Sequence, residues 1–170
     1  TLKGVEIAYQ QFFDFLPSPL DGFGVQANFT YSDGEVDAQP VIGQPTVLQR
    51  ITPVSRYSSN LVAIYEKYGF SARLAYNWRS EFVDFYASNI PGGFVEVSPV
   101  SFLDFSLSYD INDNFTVAVD ATNLLNETYH DSFGGSDITP RDTRQYDRTY
   151  SVGLRFRFWG APAVARTRWV

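Results

Sequence analysis

Residues 101–122 read SFLDFSLSYDINDNFTVAVDAT. Leu103, Phe105, Leu107 and Tyr109 alternate with Asp104, Ser106, Ser108 and Asp110. After the polar turn Asn112-Asp113-Asn114, the alternation resumes with Phe115, Val117, Val119 and Ala121 against Thr116, Ala118, Asp120 and Thr122. Period two on both sides of a short turn predicts a β-hairpin. One face is apolar along two whole strands, and the other carries carboxylates and hydroxyls. A soluble sandwich gives the same pattern, because each of its sheets has one dry and one wet face. What the apolar face touches, a protein core or lipid, therefore decides the fold.

Five more stretches share that period. They are Leu2–Asp14, Phe23–Ser32, Tyr57–Glu66, Phe70–Arg79 and Asp147–Phe158, so seven strands are expected. Short turns alternate with long connections. Pro17 to Gly22, Lys67-Tyr68-Gly69 and Asn112-Asp113-Asn114 are short; 33–56, 80–100 and 123–146 are long. A sandwich has no reason to gather every long connection at one end. Transmembrane β-barrels do so, with short periplasmic turns and long outer loops. Strands of about ten tilted residues also match a bilayer. Phe12, Phe13, Phe23, Tyr31, Tyr57, Tyr68, Phe70, Trp78, Tyr109, Phe115, Tyr150, Phe158 and Trp159 fall near strand ends, where interfacial girdles form. Arg73, Asp104, Asp120, Arg155 and Arg157 all lie on the non-apolar face.

Composition narrows the class. The 170 residues hold no Cys and no Met, 17% aromatics and a net charge of -6. No thiolate metal site or disulfide framework exists without Cys. An acidic chain with two lysines, Lys3 and Lys67, lacks the basic stripe that nucleic acid requires. No run approaches the roughly 18 apolar residues of a spanning helix. His130 is the one histidine and sits in a loop. No metal site, no cofactor cradle and no nucleophile–base order is recognisable, so no enzyme is expected.

Seven strands ending on the turn side would begin outside, so the chain is expected to lack upstream strands. The alternative is a small eight-stranded barrel with its extra strand hidden at Phe82–Tyr86 or Phe94–Val97.

Four segments resemble the C-terminal part of a TonB-dependent outer-membrane receptor. They are Gly4-Val5-Glu6-Ile7, PVSRYSSNLVAIYEKYGFSARLAYNWRSEF (53–82), FTVAVDATNLLNETY (115–129) and YDRTYSVGLRFRF (146–158). The resemblance implies an all-β fold, a transmembrane antiparallel β-barrel of which this chain gives the last seven of 22 strands. Residues 1–159 would be that portion of the barrel and 160–170 a periplasmic tail. The family normally stops near a terminal aromatic, matched here by Phe158. It further implies an N-terminal plug domain bearing a TonB box, the remaining barrel strands, a TonB energy-coupling complex and outer-membrane lipid as partners. Residence in the outer membrane of a Gram-negative bacterium follows. So does active transport of a scarce small-molecule ligand: a siderophore, haem, cobalamin or carbohydrate. The rival functions are a passive porin or small structural barrel, and a soluble β-sandwich binding module.

Within the transport reading, roles follow from position. Asn77, Arg79 and Glu81, at the outer end of the fourth strand, and Phe85, Tyr86, Tyr129, His130 and Phe133, in loops, are expected to bind substrate. Arg73, Asp120 and Arg155 are expected to contact the plug. Arg141, Arg144 and Arg148 are expected to pair with Asp137, Asp142 and Asp147.

Overall fold

The computed structural model describes residues 1–38, 43 and 45–158; the expected tail, from Trp159 onward, lies outside them. Among the described residues every extended element is a β-strand: β1 (Leu2–Phe12), β2 (Phe23–Ala38), β3 (Val47–Arg50), β4 (Tyr57–Lys67), β5 (Phe70–Arg79), β6 (Phe82–Tyr86), β7 (Phe94–Val97), β8 (Val100–Asn112), β9 (Phe115–Thr122), β10 (Thr128–Phe133), β11 (Pro140–Gln145) and β12 (Thr149–Phe156). The main sheet runs β1-β2-β4-β5-β8-β9-β12, each strand antiparallel to the next. These are the seven expected strands in meander order, and the sheet is open at β1 and β12.

The register sorts the side chains onto two faces. One carries Val5 and Ile7 beside Tyr31 and Phe29, then Leu61 beside Ala27 and Tyr76, and Leu74 beside Ala63 and Phe105. It ends with Val117 and Val119 beside Leu154 and Val152. No charge interrupts it between Lys3 and Asp33 at one end and Lys67 at the other. Along β5, the eight steps from Phe70 to Trp78 cover about 26 Å at 3.3 Å each, close to the roughly 25 Å apolar band of an outer-membrane barrel.

Rings edge that band. At the turn end Phe23–Tyr65, Phe70–Tyr109 and Phe156–Phe158 have centroids 4.7, 4.4 and 4.6 Å apart. At the other end Tyr57 lies 5.4 Å from Tyr31 and 6.2 Å from Phe29. In mid-sheet Leu61 is 51% exposed, while its neighbour Val62, on the polar face, is 1% exposed. That contrast is what curling gives: outer side chains splay, inner ones crowd. It also accounts for the weak alternation of β4, where Val62 and Ile64 interrupt an otherwise polar face.

Turn chemistry fixes the tight end. Tyr68 and Gly69, both with positive φ (53° and 80°), form the two-residue link between Lys67 and Phe70. The side chain of Asn112 accepts the amide of Asn114 at 3.0 Å in the β8–β9 turn.

The long connections depart from expectation. β2 does not stop at Ser32 but continues to Ala38 and pairs with β3. β6, β7, β10 and β11 form a second antiparallel sheet, ordered β11-β10-β7-β6. Phe82–Tyr86 and Phe94–Val97 are therefore strands, yet neither adds an eighth to the main sheet. They carry on the β5–β8 hairpin: Arg79 opposes Val100, and three steps further Phe82 opposes Val97 in the same register. The pairing is interrupted at Ser80-Glu81 and Ser98-Pro99, and shifts register once more between Val83 and Phe85. Likewise β10–β11 prolongs β9–β12 beyond the turn at Asn123. The order of the outer sheet thus repeats that of β5, β8, β9 and β12 below it. The first strand ends at Phe12 rather than Asp14, because Phe13 turns away to close the β1–β2 turn, its amide on the Phe23 carbonyl at 2.8 Å.

Candidate functional site

The polar face and the outer sheet carry the residues assigned to substrate by position. On the polar face successive cross-strand rows are distinct. Gln26, Val62, Ala75 and Asp104 make one. The next row outward is Asn28, Asn60, Asn77 and Phe102; the next is Thr30, Ser58, Arg79 and Val100. All of these two outer rows except Thr30 border a hollow of about 290 Å³. Arg79 lays its guanidinium over the ring of Phe82, 4.2 Å from the centroid, which fixes a cation at the rim. Nearer the turn end, Arg73, Ser106, Asp120 and Ser151 share a row. Arg155 stands opposite Thr116 on the same face.

The outer sheet has a small core of its own. Phe82, Val83, Val95 and Val97 are buried, and so is Asp131, at 2% exposure; Val100, at the start of β8, is buried just below them. Asp131 accepts from Arg141 Nη1 at 3.0 Å and from the hydroxyl of Tyr129 at 3.3 Å through one oxygen. Arg141 also lies 5.3 Å from the ring of Phe85. Burial pushes the Tyr129 phenol above its ordinary pKa, and the carboxylates of Asp131 and Asp84 add to the shift. The Tyr86 hydroxyl donates to the Arg50 carbonyl at 3.0 Å, and Arg50 Nη1 approaches Glu96 at 3.9 Å. The first long connection is thereby clasped to the second. Burial raises the Tyr86 phenol as well.

Of the residues assigned to substrate by position, Asn77 and Arg79 meet at the hollow, and Glu81 follows at the β5–β6 break. The loop set divides by strand parity. Phe85, Tyr129 and Phe133 share one face of the outer sheet; Tyr86 and His130 occupy the other. His130 is exposed, its Nδ1 3.2 Å from Thr143 Oγ1. Arg73, Asp120 and Arg155 all stand on the polar face. Arg144 pairs with Asp142 as expected, at 2.6 Å, which holds its pKa above the usual value. Arg141 takes Asp131 instead, because a register shift at Asp131/Ser132 turns it toward that buried carboxylate. Arg148 donates to the Leu124 carbonyl at 3.0 Å. Among the described residues no three His, Asp or Glu side chains converge on a metal position.

Sequence reading missed Asn28, Asn60 and Phe102, which become neighbours of Asn77 only through register. It also missed the work of Asn123. Buried and at φ 53°, Asn123 bonds through its side chain to the Glu127 amide at 2.8 Å and to the carbonyls of Glu127 and Tyr146. The Asn-Leu-Leu-Asn stretch is a brace at the foot of the third long connection. The signal present was an Asn after a strand, a residue type that tolerates left-handed backbone.

The family model described as TonB dependent receptor-like, beta-barrel matches residues 1–124. The chain belongs to that family, a class of outer-membrane barrels serving TonB-dependent transport. The match ends inside the Asn-Leu-Leu-Asn stretch, while β12 continues the same sheet by pairing with β9. No curated protein and no solved structure gives a significant match.

Proposed function

We propose that this chain is the C-terminal part of the barrel of a receptor that imports a scarce nutrient across the outer membrane, driven by the TonB system. The observation that carries this is the pairing of a charge-free, ring-edged face with a polar face, topped at one end by prolonged hairpins. Such a sheet is stable when hydrocarbon covers the first face and a lumen lies behind the second. In this reading residues 1–159 are barrel and 160–170 a periplasmic tail.

Asn77, Arg79 and Glu81 then belong to the lumen wall near the vestibule. Phe85, Tyr86, Tyr129, His130 and Phe133 belong to the outer sheet that meets the ligand. Arg73, Asp120 and Arg155 offer paired signs to a plug domain, Arg73 and Asp120 about 10 Å apart across two strand spacings. Siderophore, haem, cobalamin and carbohydrate remain the ligand classes, and an enzyme activity is not part of the proposal.

The test is uptake by cells carrying the full-length receptor, with each ligand class offered in turn. One class is expected to accumulate, and a protonophore or loss of TonB should abolish the accumulation. Entry that persists after de-energisation would make the protein a passive pore.

A further inference from the structure

We propose that Asn28, Asn60 and Asn77, with Arg79 above them, form a recognition strip for a hydroxylated ligand that carries an acid group, a sugar acid of the uronate kind. This deepens the transport reading and rests on it, since the polar face must line the lumen for a ligand to arrive. The three asparagines come from three consecutive strands and stand directly opposite one another. Strand spacing sets them about 5 Å apart and spreads the carboxamides over about 10 Å. Each carboxamide presents one acceptor and two donors, and a sugar hydroxyl is at once donor and acceptor. A row of carboxamides therefore answers a row of hydroxyls without a net charge.

Three further observations point the same way. The strip borders a hollow of about 290 Å³, at the lower edge of the roughly 300–1,000 Å³ typical of small-ligand sites. Phe102 continues the asparagine row and offers a ring to the apolar side of a sugar. The Oδ1 of Asn60 is shielded from solvent and has no hydrogen-bond partner among the described residues. A shielded acceptor left unmatched is costly, and rotation of the Asn60 carboxamide toward the hollow would let a ligand hydroxyl supply its donor.

Arg79 supplies the charge preference. Its guanidinium rests on Phe82 at 4.2 Å, and no carboxylate lies within 4.0 Å of it among the described residues. The cation is thus oriented and unspent beside the carboxamides. The same strip without Arg79 would read a neutral sugar; with it, the acid form is favoured through a charge-assisted hydrogen bond.

The experiment uses the purified full-length receptor in detergent and two probes, digalacturonate and its neutral counterpart galactobiose, followed by calorimetric titration. Saturable binding of digalacturonate, at least tenfold tighter than galactobiose, is expected. Arg79→Gln should erase that preference. Asn60→Leu should weaken both sugars tenfold or more without lowering the thermal midpoint, and Asn77→Ser serves if Asn60→Leu fails to assemble. Wild-type affinity in both Asn variants would overturn the strip. So would a loss of thermal stability with binding intact, which would make the row a contact with the plug. If neither probe binds while energised uptake of another ligand class persists, the strip falls and the transport reading stands. If entry is passive, the transport reading falls.

Discussion

The backbone amide of Asn123 donates to Oδ1 of Asp104 at 2.9 Å. Asp104 lies on the polar face of β8, and Asn123 is the first residue beyond β9. One carboxylate thus anchors the point where the barrel sheet gives way to the outer sheet. The Leu124 amide on the Leu103 carbonyl at 2.8 Å and Ser101 Oγ on Glu127 at 3.0 Å complete the joint.

Asn123→Ala should loosen this joint. It removes the side-chain bonds to Glu127 and Tyr146 and leaves an alanine at φ 53°. Each lost bond costs about 1 kcal/mol and the left-handed alanine about 1–2 kcal/mol. The full-length protein should show a lower midpoint for loss of its heat-modifiable band on a gel. Asn123→Gly should recover the backbone share only; equal midpoints for Ala and wild type would remove the brace.

Arg141→Ala strands a carboxylate that is nearly inaccessible. Losing one partner of a buried pair costs about 3–5 kcal/mol, and the lower end applies because the Arg141 side chain is itself 31% exposed. The loss should open the outer sheet locally and leave the barrel intact. Limited proteolysis is expected to cut faster near the exposed Ile138. The double variant Arg141→Ala/Asp131→Asn should restore resistance, since no charge is then left unpaired.

Leu107 and Ser108 are chain neighbours on opposite faces. Leu107→Arg puts a guanidinium among Ala72 and Val119 on the apolar face, one step inside the Phe70–Tyr109 edge, and should cost about 1–3 kcal/mol, between the interface and midplane values. Ser108→Arg, on the polar face, should assemble close to wild type. The fraction of folded receptor recovered from outer membranes separates them. Similar yields would place the apolar face against something other than lipid.

Alkaline pH should act on the outer sheet through Tyr86 and Tyr129. Both phenols are raised by burial. As pH climbs through about 10, the unfolded chain loses these protons while the folded sheet retains them. The stabilisation is complete below that pH and fades above it, as the folded pKa values are passed. In an absorbance titration at high pH, Tyr86→Phe and Tyr129→Phe should each remove one late-titrating phenol.

The sequence alone settled the seven strands of the main sheet, their two faces and the end bearing the tight turns. These are local properties: period two over ten residues, and turns such as Lys67-Tyr68-Gly69 whose chemistry is written in adjacent residues. Phe70–Arg79 and Phe115–Thr122 were legible to the residue for that reason. The long connections were legible only in part: Phe82–Tyr86 and Phe94–Val97 stood out as candidate strands and are β6 and β7, whereas β3, β10 and β11, four to six residues each, are too short for a period to stand out. Their pairing depends on register inherited from the strands below. The asparagine row is of the same kind. Asn28, Asn60 and Asn77 are far apart in the chain, and only cross-strand pairing, a tertiary fact, sets three carboxamides side by side.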